Sequence, residues 1–282
     1  MARWQSSSHG SPTEEAPEAP TIVSVSTTFY PGAGLSPLPP DLVFLSADTV
    51  FFYVHSCQLL SASSTRWKDL IPATLGGAAP KPLADSTNGK QKDKVTDVAP
   101  IVALPELSGV LNIALHAVYG VSCAHYSPSA PTVLAAAEAL IKYGVPLSKH
   151  AASGTPLFET ILSLSPVAPL EFYTLAARNG LEDLAVQVSS HLLSCHIADL
   201  SDEAVEKMGA VYLKRMVFLH LGRIDALKRL LLPPPQMHPA TPECDFIEQK
   251  KLTRAWALAS AYIAWDARPG EFLGGSDSRG MG

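Results

Sequence analysis

Between residues 41 and 67 the apolar residues change their spacing, and that change constrains the fold more than any other feature of the chain. Asp41-Leu42-Val43-Phe44-Leu45 is a short apolar run. Ser46-Ala47-Asp48-Thr49 supplies turn chemistry, and Val50-Phe51-Phe52-Tyr53-Val54 follows. Two β-rich runs joined by a four-residue polar link predict a hairpin. Leu59, Ser63 and Trp67 then recur at i, i+4 and i+8, which is helical spacing. A helix is expected from about His55 to about Leu70, ahead of Pro72. From Pro105 onward every periodic segment is helical.

Those later helices have readable ends. Ser108 can cap a helix over Gly109 to Tyr119, stopped at Gly120. Pro131 suits the first turn of a helix over Thr132 to Tyr143, with Gly144 as its stop. Weaker signals cover Thr155 to Leu164. Pro169 to Asn179, closed by Gly180, and Leu181 to Leu193 read as a pair. Ser201 followed by Asp202 and Glu203 is a good helix start. That helix carries Val205, Met208, Tyr212, Met216 and Leu219 and is expected to end at Gly222. Arg223 to Leu232 forms another, before Pro233-Pro234-Pro235. The last, about Phe246 to Trp265, places Leu252, Trp256, Ala259 and Ile263 on one stripe, with Lys250, Lys251 and Arg254 on the solvated side.

The remaining segments read as links and tails. Residues 1–38 form a flexible N-terminal tail with a possible strand at 21–30 (TIVSVSTTFY). Residues 72–97 are a long polar loop. Val98 to Leu104 has strand character, and Pro100 places it at a sheet edge or a strand start. The expected organisation is a mixed unit over 39–165, a helical extension over 166–268 and a frayed tail over 269–282.

Composition narrows the function classes. Of 282 residues, 47% are apolar and 17% charged, with a net charge of −5. That argues against overall disorder, and the lack of a basic stretch argues against nucleic-acid binding. The four cysteines contain no Cys-x-x-Cys pair and read as free thiols in a reducing, intracellular compartment, cytoplasm or nucleus. Met1 to Gly10 has no apolar signal core. No Asp, Glu, Lys or Arg stands between Glu106 and Glu138, but Asn112, His116, Gly120, His125 and Pro128 interrupt the stretch. It reads as two buried helices rather than a membrane span.

Candidate chemistry is sparse. Asp41, His55 and Cys57 suggest a Cys-His-Asp set. His55 and Cys57, two residues apart, do not face each other on a helix, so no catalytic residue is assigned. His55 is instead expected to be partly buried and to bond backbone at the strand–helix junction. His191, Cys195 and His196 offer one i, i+4 pair, short of the four ligands of a closed zinc site, so no metal is expected. There is no Gly-x-Gly-x-x-Gly, P-loop or Gly-x-Ser-x-Gly, and no cofactor is expected. Met208, Tyr212, Met216 and Phe218 read as helical core, with a partner groove as the lesser alternative. Pro233–Pro239 reads as a helix-terminating linker, with docking into an aromatic groove as the lesser alternative.

The ordered landmarks resemble a BTB/POZ domain. The family opens with Asp and apolar residues, here Asp41-Leu-Val-Phe44. Its second strand is matched by Phe52-Tyr53-Val54-His55, and its first helix by His55-Ser-Cys-Gln-Leu59-Leu60-Ser-Ala-Ser63-Ser-Thr-Arg-Trp67. Leu104-Pro105 through Tyr119, and Thr132 to Tyr143-Gly-Val, resemble later segments, and Asp41, His55, Tyr119 and Tyr143 are the matching positions. The helical half is similar to the extension of large fungal, basidiomycete-type BTB families. The chain departs from the family at Ser56, where Lys or Arg is usual, at Trp67, where Phe is usual, and in its long polar loop.

The resemblance implies an α+β fold: a small mixed BTB/POZ-like sheet covered by helices, followed by an all-α extension. It implies a non-enzymatic protein–protein interaction module forming a homodimer or hetero-oligomer through the first strand and first helix. Leu42, Phe44, Leu59, Ser63 and Trp67 would be the contact patch, with Trp67 its anchor. The alternatives are a substrate adaptor for a cullin-type ubiquitin ligase and an unrecognised hydrolase.

Overall fold

A computed structural model describes residues 24–71 and 99–266. The hairpin forms as the alternation predicts. Strand β2 (Leu42–Leu45) runs antiparallel to β3 (Val50–Val54), with Phe44 opposite Phe52 and Leu42 opposite Val54. Ser46 closes the turn: its Oγ accepts the Val50 N–H at 2.9 Å. Strand β4 (Ile101–Ala103) adds parallel to β2 at one edge, where Pro100 had placed it. Strand β1 (Ser24–Val25) adds parallel to β3 at the other, giving the order β1-β3-β2-β4. The fold is mixed α+β.

The strand expected over 21–30 is cut short. Pairing covers Ser24–Val25, because the Ser26 hydroxyl then accepts the backbone N–H groups of Thr28 and Phe29 and turns the chain. The chain after this turn is no loose tail, since Phe29 is wholly buried. Residues 21–23, the polar loop 72–97 and the tail 269–282 lie outside the described residues.

Helix α1 (Ser56–Ala62) ends about eight residues before its expected stop near Leu70. At Ser63 the backbone becomes extended, and the Ser63 hydroxyl donates to the Tyr143 carbonyl at 2.6 Å. Ser64 N donates to the Gly144 carbonyl. Arg66 to Asp69 then take positive φ, 49–60°, a conformation costing about 1–2 kcal/mol per residue. Burial of the Trp67 ring and its indole bond to the Leu59 carbonyl oppose that cost. Gly144 is required here: a Cβ would come within 2.3 Å of Thr65 Oγ1.

The helices that follow are α2 (Ser108–Tyr119), α3 (Ala130–Lys142), α4 (Leu147–His150), α5 (Pro156–Leu164), α6 (Pro169–Arg178) and α7 (Glu182–Ser189). The charge-free interval from Glu106 to Glu138 thus holds α2 and most of α3, both with a buried face. Ser108 lies inside α2 rather than before it, and the cap comes from afar. Asp48 in the hairpin turn accepts both the backbone N–H and the hydroxyl of Ser108. Burial raises the Asp48 carboxyl, but the hydrogen bonds from Ser108 and Ser46 outweigh it and lower its pKa.

Helix α8 (Asp202–Leu231) runs through Gly222, where a break was expected, and is interrupted at Gly209 instead (φ 76°, ψ 161°). Helix α9 (Phe246–Asp266) packs back on its second half. One contiguous cluster of buried residues extends from Phe44 and Trp67 through Leu115, Leu140 and Phe172 to Met208 and Met216. The parts on either side of residue 165 therefore share a core. Among the described residues no helix is long and apolar enough to cross a membrane.

Candidate functional site

The five residues expected to form a contact patch lie inside the chain. Leu42, Phe44, Leu59 and Trp67 have no exposed surface, and Ser63 is buried. The Trp67 ring lies 5.2 Å from Phe44 and stacks on Tyr143 at 4.8 Å. This corrects the expected patch: α2 packs on α1, Tyr143 stacks on Trp67, and Ser63 and Ser64 bond the Tyr143 and Gly144 carbonyls. Trp67 anchors this chain's own core.

The four positions that carry the resemblance tie elements together. Asp41 accepts the Ser56 backbone N–H at 2.7 Å and the Ser56 hydroxyl at 2.5 Å, which caps α1 from the start of β2. His55 bonds a phenol rather than backbone: its N–H donates to Tyr119 Oη at 2.8 Å, and its Nδ1 lies 2.9 Å from the same oxygen. Burial chiefly holds the Tyr119 phenol well above its usual pKa, with Cys57 and Asp41 adding to the effect. Tyr143 donates to Glu106, which also pairs with Lys142. Burial, and then that bond to Glu106, raise the Tyr143 phenol. For Glu106 burial acts to raise the carboxyl, yet the hydrogen bonds from Lys142 and Tyr143 prevail and lower it.

The Cys-His-Asp set is not assembled. Cys57 is exposed, His55 is buried against Tyr119, and Asp41 is bound to Ser56. The second cluster is equally dispersed. The Cys195 thiol is pushed up by burial, and the nearest further imidazole in sequence, His220, bonds the Leu192 carbonyl. Among the described residues no group of three His, Cys, Asp or Glu side chains is placed to hold a metal ion.

The surface that stands out includes Phe218, where a partner groove was the lesser alternative, and extends well beyond it. Among the described residues, twelve of 23 exposed large apolar side chains lie between Val211 and Tyr262, on the part of α8 after Gly209, the link and α9. Met208 and Met216 are buried as expected, but Phe218 on the same helix is 61% exposed. The α9 stripe is also rotated from its expected facing. Gln249 and Ser260 are its buried residues, while Leu252 and Leu258 are exposed. Trp256 donates its indole N–H to the Leu231 carbonyl and holds α9 on α8. One sequence signal could have revealed this. Phe218-Leu219-His220-Leu221 and Leu230-Leu231-Leu232 put apolar groups all round the helix, more than one packed face can absorb.

Near the hairpin, the arch of residues 31–40 overhangs the end of β3 and leaves a cleft of about 380 Å³, lined also by Tyr30, Tyr53 and His55. Comparison with protein-family models, with curated proteins and with solved structures finds no match.

Proposed function

We propose that this chain is a non-enzymatic protein–protein interaction module, a BTB/POZ-like unit with a helical extension, that pairs with a second copy through α8 and α9. The observation that carries this is the number of exposed apolar side chains on α8, the link and α9, each 38–74% exposed. At roughly 100 Å² apiece, about half of what an aromatic side chain buries, they sum to on the order of 1,000 Å². A stable interface takes about 800 Å² from each partner. The BTB/POZ-like part of the reading is supported by the antiparallel hairpin, the helix that follows it and the later strand parallel to β2.

Size-exclusion chromatography with light scattering at micromolar concentration tests the pairing. A mass of twice 30.0 kDa is expected for the chain as it stands. Phe218→Asp together with Leu258→Asp should return it to one chain's mass and leave its far-ultraviolet circular dichroism unchanged, because both side chains are mostly exposed in the single chain. A single-chain mass for the unsubstituted protein overturns the reading.

A further inference from the structure

Residues 24–30 form a strap across β3 and α2 that does not depend on α8 or α9. Ser24 and Val25 pair with β3. Beyond them the Ser26 N–H donates to the Phe51 carbonyl at 2.8 Å, and the Tyr53 N–H to the Phe29 carbonyl at 2.9 Å. The Phe29 ring lies 6.2 Å from Phe52, 5.3 Å from Tyr119 and edge-on to His116 at 5.1 Å. The 3-10 turn Ala124–Tyr126 grips the same segment: the Tyr126 hydroxyl is hydrogen-bonded to the hydroxyls of Thr27 at 2.7 Å and Thr28 at 2.6 Å.

His116, on α2, touches both the strap and the turn that grips it: Phe29 meets its ring, and Tyr126 and His125 lie 5.5 and 6.0 Å away. The Asn112 carbonyl, 2.7 Å from Nδ1, can only accept, so the neutral ring carries its proton on Nδ1 and leaves Nε2 bare. A second proton must go to Nε2, which is buried without a partner. A charged N–H with neither acceptor nor water there is costly. The titratable neighbours are His125 and Tyr126 on the turn, Tyr119 across Phe29, and His150, which bonds the Ala117 carbonyl from α4. Helices α1, α3 and α5 also pack on α2, and no carboxylate among the described residues acts on His116. A protonated His125 would repel the new charge. Charging His116 therefore requires an opening that admits water.

We propose that acid releases the strap: protonation of His116 is coupled to lifting residues 24–30 off α2 and β3, which bares the outer edge of β3. The strap is the cheapest cover to open. Helix α2 is fixed by Leu111, Ile113 and Leu115 in the common core. The strap contributes Phe29 to that core but leaves Val25 and Tyr30 nearly half exposed, and only Ser24–Val25 is strand. Opening it wets the His116 ring without dismantling the helices. The bared edge presents backbone N–H and C=O groups to which another extended segment can pair. The closed form favours the neutral ring and the open form takes the proton, so the open fraction rises as pH falls below about 6.5.

The test is amide hydrogen exchange of the full chain at pH 7.5 and 5.5, read by mass spectrometry and corrected for the intrinsic slowing of exchange in acid. Protection of residues 24–30 and of β3 should fall by up to about tenfold at pH 5.5, the limit for an imidazole of ordinary pKa one unit below that pKa. Protection of α2 and α3 should hold. His116→Phe should keep the strap closed at both pH values. His116→Gln, which does not titrate either, is the second variant should the first fail to fold, as far-ultraviolet circular dichroism at pH 7.5 reports. His150→Gln should leave the response in place. The proposal is overturned by any of three results: strap protection equal at the two pH values, strap and helices losing protection together, or a response that survives in the folded His116 variants.

Discussion

His116 is one of the groups that make this fold sensitive to acid. It has no exposed surface, its Nδ1 lies 2.7 Å from the Asn112 carbonyl, and its Nε2 has no partner. Phe29 meets it edge-on at 5.1 Å, and Tyr126 and His125 lie 5.5 and 6.0 Å away. Burial, with a smaller contribution from His125, holds its pKa below the ordinary imidazole value of about 6.5. The unfolded chain therefore takes up this proton first as pH falls. The corresponding stability is present above about 6.5 and is lost progressively below it. His150, buried with an unpartnered Nε2 and likewise lowered, acts in the same direction. Urea midpoints measured between pH 7.5 and 5 should fall with pH, and His116→Phe should flatten that fall. A slope unchanged in the variant would mean that His116 does not govern it.

Among the elements, α8 separates two glycines that look alike in sequence. Gly222 is helical, exposed, and has open space where a Cβ would stand, so Gly222→Ala should stabilise the chain by about 0.5–1 kcal/mol. Gly209 stands at φ 76°, and Gly209→Ala should destabilise it by a similar amount or more. Thermal melts of the two variants moving in the same direction would contradict the placement of the kink. This pair also marks how far the sequence could be read. Period 2 in Leu42–Val54 and the Gly120 stop depend on neighbours along the chain, and both appear where the spacing puts them. The end of α1 was not legible, because it is decided by Ser63 bonding to Tyr143, eighty residues on. The same holds for the start of α2, where the cap is Asp48, sixty residues away. The expected contact patch failed for that reason too: an apolar face can be recognised locally, but what covers it cannot. The exposed face of α8 and α9 was hidden by the assumption that apolar spacing points to the chain's own core.

At the scale of the whole molecule, the two halves suggested by the change from strands to helices are not energetically separate. Helix α3 packs on α6 and α5 on α7, and Leu157, Phe158, Ile161, Phe172 and Val188 belong to one buried cluster. Cutting the chain after Ser165 removes α6 to α9 and exposes the faces of α3 and α5 that they cover. At about 25 cal/mol per Å² of apolar surface, uncovering a few such side chains costs as much as the 5–15 kcal/mol that typically holds a whole domain together. The full chain should therefore unfold in one transition between the sheet and α8, with near-ultraviolet and far-ultraviolet signals coinciding. A fragment ending at Ser165 should keep helical far-ultraviolet signal but bind an apolar dye and lose its sharp melt. A fragment that melts sharply on its own would mean that the core, continuous as it is, holds two independently stable parts, and that α6 to α9 are carried by the sheet domain rather than required by it.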